Sequence, residues 1–225
     1  MISKLIRRTC VGPRSVLAAT LALASCGLVT DDTRAVFVLV DVSGTYFAEL
    51  DDAVRGSRLI AASLDAGDHL TVSEIGSCSF DDNAIVVDAA VPDRPSEASA
   101  VQRQLIADID AYAARAARTQ FTDIHGALLQ AVDRLSRSDA SKRVVVVFSD
   151  LVEDPVSGCG SANATLDLDG VTVIAANVIK LSADAQDPQA YFARIDAWEA
   201  KVEAAGGRFV LVDDVEALRA AVAGA

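Results

Sequence analysis

Apolar and polar positions divide this chain into short runs with two different periods. Residues 36–40, Val-Phe-Val-Leu-Val, are apolar without a break and end at Asp41. A run like this predicts a strand over 35–41 buried on both faces. Residues 144–148 repeat the pattern and end in Ser149-Asp150. Further strands are expected over 171–179 and 209–212. Residues 70–75 alternate, and 84–87 follow after a turn over 78–83, which predicts a hairpin. Between the strands the period changes. Phe47, Leu50, Val54, Leu59 and Ile60 recur at helical spacing over 46–65, and Ala66-Gly67-Asp68 stops that helix. After a break at Pro92 and Pro95, Ser96 is the expected cap of a helix over 97–118, striped by Val101, Leu105, Ile109 and Tyr112. A helix over 122–137 places Asp123 in its first turn. Helices over 188–205, with Tyr191, Ile195 and Trp198, and over 215–222, behind Asp213-Asp214, complete the chain. Strands alternating with helices require an α/β fold: a doubly wound, mostly parallel six-stranded sheet with helices on both faces. The strand over 84–87 is its one antiparallel edge strand. Residues 34–225 form one domain.

The first 25 residues do not fit this pattern. Lys4, Arg7, Arg8 and Arg14 precede a short apolar stretch over 15–24. That stretch is roughly half the ~20 residues a spanning helix needs, so it reads as an export signal. It closes in Leu23-Ala24-Ser25-Cys26, which resembles the lipobox of bacterial lipoproteins. The resemblance implies cleavage before Cys26, lipidation of Cys26 and a tether over 26–33. The chain would then be anchored in the envelope and face the periplasm. Gly27 is not the Asp associated with inner-membrane retention, which tilts the expectation to the outer membrane. Losing four basic residues and no acid takes the formal charge from −12 to −16. A surface so acidic repels phosphate backbones and argues against nucleic acid as a partner. Export also leaves two thiols, Cys78 and Cys159, beside Cys10 in the signal and the lipidated Cys26. They either pair or stay as free buried thiols, and an oxidising compartment favours the disulfide.

The candidate chemistry lies where the first strand ends. Asp41, Ser43 and Thr45 occupy every second position, so in an extended loop their oxygens project the same way. One carboxylate and two hydroxyls suit a hard divalent cation: Mg²⁺ first, with Mn²⁺ or Ca²⁺ as alternatives. Asp150 ends the second buried run in the same manner. If the two strands are neighbours where strand order reverses, both acids face one crevice.

These segments resemble the von Willebrand factor A (vWA) domain and its metal-ion-dependent adhesion site (MIDAS), a D-x-S-x-S loop with a distant Thr and a distant Asp. Asp41-Val42-Ser43-Gly44-Thr45 matches the loop, with Thr45 in place of its second Ser. Phe121-Thr122-Asp123-Ile124 matches the Thr segment and Phe148-Ser149-Asp150 the final Asp. The resemblance implies a metal set of Asp41, Ser43, Thr45, Thr122 and Asp150. It further implies a protein partner whose acidic side chain completes the coordination, and no catalysis. It also implies a sheet order of edge hairpin, first strand, the 144–148 strand and then the last two. That order puts Cys78 and Cys159 in loops on the metal face, where a disulfide would brace its rim. The expected function is a lipid-anchored, cation-dependent protein-binding module for adhesion or scaffolding. The alternative is a Mg²⁺-dependent phosphohydrolase, because residues 36–45 also resemble the D-x-D-G-T motif of haloacid dehalogenase-type phosphatases. There the second Asp is the general acid, and here that position is Ser43.

Overall fold

The computed structural model describes residues 32–80, 84–159, 161 and 164–225. The export signal, Cys10, Cys26, most of the tether and the Asp81-Asp82-Asn83 turn lie outside the described residues. Six strands occur among the described residues: β1 (Arg34–Asp41), β2 (His69–Ile75), β3 (Ile85–Ala90), β4 (Lys142–Phe148), β5 (Val171–Ala176) and β6 (Arg208–Val212). The helices are α1 (Leu50–Ala62), α2 (Pro95–Ala113), α3 (Ile124–Leu135), α4 (Pro188–Ala204) and α5 (Val215–Gly224). The strands form one sheet in the order β3-β2-β1-β4-β5-β6. Only the β2–β3 pair is antiparallel. Strand order reverses between β1 and β4, so the crevice beyond their carboxyl ends is the natural ligand position.

The unbroken apolar runs are explained by strand geometry, because alternate side chains point to opposite faces. Val36, Val38 and Val40 of β1 join Val144, Val146 and Phe148 of β4 in one core, beneath α1, α2 and α5. Phe37 and Leu39 join Val145 and Val147 in the other, beneath α3 and α4. Phe37, Val38 and Leu39 are wholly buried, and each such side chain contributes about 1.5–3 kcal/mol. Helix α1 rides very close to the sheet at Gly56. A Cβ there would stand 2.9 Å from Phe148 Cε1 and nearer still to Cζ.

Several boundaries differ from the sequence expectation. The region over 46–65 is a 3-10 turn (Phe47–Glu49) followed by α1, which ends at Ala62. Helix α2 starts at Pro95 with Arg94 at its N-cap, so Ser96 is inside the helix. Proline suits the first helical position, where its missing N–H leaves nothing unsatisfied. The same helix stops at Ala113, well short of 118. Helix α3 starts at Ile124, which leaves Thr122 outside it and makes Asp123 the cap. Strand β5 ends at Ala176, because Asn177 turns to a positive φ of 53°. Asp214 caps α5 as expected, accepting from the Ala217 N–H at 2.7 Å.

At the amino end of β1, Arg34 makes a buried ion pair. Its Nε donates to Asp68 Oδ2 at 2.9 Å, and its backbone N–H donates to Oδ1 at 2.8 Å. The pair holds the start of β1 against the turn before β2.

Candidate metal centre

Asp41 and Asp150 follow neighbouring parallel strands, and both are fully buried. Each forms the same local turn. Asp41 Oδ1 accepts from the Ser43 N–H at 2.8 Å, and Asp150 Oδ1 accepts from the Val152 N–H at 2.9 Å. A carboxylate that bonds its own backbone two residues on closes a tight turn. Ser149 then joins the two loops. Its hydroxyl donates to Asp41 Oδ2 at 2.6 Å and accepts from the Leu151 N–H at 3.0 Å. Leu151 adopts a positive φ of 63°. That costs about 1–2 kcal/mol in a residue with a Cβ. Its buried side chain and a 2.8 Å bond from Trp198 Nε1 to its carbonyl hold it there.

Burial pushes the Asp41 carboxyl above the ordinary carboxylate range. The Ser149 and Ser43 hydrogen bonds pull it back, and the nearby Asp150 charge pushes it further up. Asp150 Oδ2 is buried and has no hydrogen-bond partner. An unpaired buried carboxylate oxygen is costly unless something positive meets it.

The other expected ligands join these loops in different ways. The Ser43 hydroxyl is 3.5 Å from that of Thr45, which is exposed. The Thr122 segment is stitched in through its backbone. The Thr119 N–H donates to the Val42 carbonyl at 2.9 Å, Thr122 exchanges two hydrogen bonds with Asp154, and the Asp123 N–H donates to Gly76 at 2.8 Å. Hydrogen bonds therefore link Asp41, Ser43 and the Asp150 loop directly, while Thr122 joins through backbone pairings. Among the described residues no three His, Cys, Asp or Glu side chains gather as a metal cage. The expected donors are two carboxylates and three hydroxyls. That all-oxygen set, with an orphaned carboxylate oxygen in it, fits a small hard cation that keeps some of its water.

Nothing in the sequence marks Ser149 for a role, and Asp123 is expected there only as a first-turn acid of its helix. Asp123 is 2% exposed and saturated with donors. It accepts from the Gly126 N–H at 2.8 Å, the Ser79 N–H at 3.0 Å and the Ser161 hydroxyl at 3.1 Å. Gly126 is required beside it, since a Cβ there would meet Asp123 Cγ at 2.7 Å. Asp123 thus caps α3 and holds two loops at once. A Cys78–Cys159 disulfide, with Cα atoms 5.6 Å apart, joins the same two loops. His125 is half-buried, with Nε2 3.0 Å from the Ala164 carbonyl. His69 is structural, with Nε2 2.6 Å from Asp88 across the β2–β3 pair. In F-S-D and T-D-I the neighbours of the ligands were visible, but nothing local marked what they would bond.

No protein-family model and no curated protein matches this chain. Solved structures do match. A von Willebrand factor type A protein from Catenulispora acidiphila superposes with a TM-score of 0.51 at 12% identity, over 86% of this chain and 42% of that one. BatB from Bacteroides thetaiotaomicron, described as a conserved hypothetical protein, gives 0.50 at 13% identity, over 84% of this chain and 95% of its own. The PilB minor pilin of Streptococcus sanguinis gives 0.52 at 12%, over 86% of this chain and 60% of its own. The chain therefore spans under two thirds of the first and third of these proteins. At such identities the likeness is one of fold, and the fold of this chain is that of the von Willebrand factor A domain.

Proposed function

We propose that this chain is a cation-dependent protein-binding module of the bacterial envelope, without catalytic activity. Asp41, Ser43, Thr45, Thr122 and Asp150 hold the ion, directly or through water. Mg²⁺ is the first choice because it tolerates few carboxylates and several waters, and Mn²⁺ or Ca²⁺ could substitute. The observation that carries this reading is the unpaired, buried Asp150 Oδ2 beside the buried Asp41. Hydroxyl ligands add no charge, so the ion still attracts a carboxylate from a partner. A chain of net charge −16 after loss of the signal can thereby accept an acidic side chain at one point. Cys26 carries a lipid anchor in this reading, with the domain in the periplasm and the outer membrane preferred. The phosphatase alternative has no group to protonate a leaving oxygen, because Ser43 stands where the acid is needed.

Melting with and without Mg²⁺ tests the assignment. Saturation at a hundredfold excess over Kd stabilises by about 2.7 kcal/mol. In a domain of this size that raises Tm by roughly 5–10 °C. Asp41→Ala is expected to abolish the shift. An unchanged shift in that variant would overturn the proposed site.

A further inference from the structure

Arg118 stands beside the loop over 41–45, with its side chain against Phe47. Arg55, Arg58, Arg94, Arg137 and Arg194 each pair with a carboxylate. Arg118 is exposed and, among the described residues, makes no ion pair, although acids outnumber bases by 32 to 20. Its contact is instead with an aromatic face, since its Cζ lies 5.5 Å from the Phe47 ring centroid. Phe47 is itself fixed to the loop, donating its N–H to the Ser43 carbonyl at 2.9 Å. The residue after Arg118 is fixed there too. The Thr119 N–H donates to the Val42 carbonyl at 2.9 Å, and Thr119 bridges Ser43. Between the two lies Gly44. A Cβ on Gly44 would stand 4.0 Å from Arg118 Cδ, so the arginine stem lies over the loop at the one position without a side chain.

We propose that Arg118 is a second anion anchor, and that the partner segment carries two acidic side chains on one side. This rests on the cation reading above. One carboxylate meets the ion and the next meets the Arg118 guanidinium, whose planar fork matches a carboxylate. Stacking on Phe47 fixes the arginine in advance, which lowers the entropy lost on binding. The acidic bulk of the domain repels such a segment everywhere else, so these two points set the register.

The test is calorimetric titration of the Mg²⁺-loaded full chain with two peptides, acetyl-Glu-Gly-Glu-amide and acetyl-Glu-Gly-Gln-amide. The two-acid peptide is expected to bind roughly three- to tenfold more tightly. In Arg118→Gln that ratio is expected to fall close to one, and in Phe47→Leu to an intermediate value. A ratio unchanged in Arg118→Gln, with binding still abolished by chelator, overturns this inference and leaves the cation site standing. Binding that ignores chelator, or no binding of either peptide, overturns the cation reading and this inference with it.

Discussion

Asp41 concentrates the energetic problem of the site in one residue. In the metal-free protein its carboxyl titrates above the unfolded-chain value, because burial disfavours the charged form. The sign follows from linkage. The folded state binds the proton more tightly, so this group weakens the fold as pH rises above about 4, fully so once pH exceeds the folded value. A bound cation reverses that cost. Without metal at pH 7, Asp41→Asn is expected to melt above the wild type, and the gap is expected to close as pH falls toward 4. With Mg²⁺ at pH 7 the order is expected to invert. Melting curves at two pH values, with and without chelator, check both. A metal-free variant that melts below the wild type at pH 7 would contradict the assignment.

The regular elements were the most readable part of the sequence. Both buried Val runs and the hairpin are local patterns, and the strands appeared where those patterns lay. The ends of α2 and the start of α3 were not readable, because long-range pairing sets them. The bond from Thr119 to Val42 draws the chain away from α2 soon after Ala113. The Thr122–Asp154 pair holds Thr122 out of α3. Proline at 95 outcompeted Ser96 as the start of its helix. The candidate metal ligands were legible only as a motif, whereas the Ser149 bridge and the three bonds to Asp123 needed the fold. The disulfide makes an element-scale prediction. It closes a loop across 81 positions, and such links typically contribute about 2–4 kcal/mol. Cys78→Ser is expected to lower stability by that amount in urea. Faster hydrogen exchange at Ser79 is expected to accompany it, since its N–H is held by Asp123.

At the scale of the molecule, the buried Arg34–Asp68 ion pair anchors the pole opposite Asp41. Asp68 is 1% exposed and receives three hydrogen bonds from Arg34, one from the backbone and two from the guanidinium. Asp68→Ala would leave a buried guanidinium with only the exposed Asp65 as counter-charge. Removing one partner of such a pair costs about 3–5 kcal/mol. Chemical denaturation is expected to show that loss with the Mg²⁺ shift retained, because β1 separates the two poles.

That separation governs how the molecule can be held. Strand β1 has eight residues, which span about 26 Å at 3.3 Å each. The chain enters β1 at Arg34, and Ala223 near the other terminus lies beside Lys142 at the foot of β4, with Nζ 3.4 Å from its carbonyl. A bead or linker joined at Arg34 therefore takes hold at the pole away from Asp41. Immobilised that way, the molecule turns its Asp41 loop toward bulk liquid, and surface-capture assays are best built from that end.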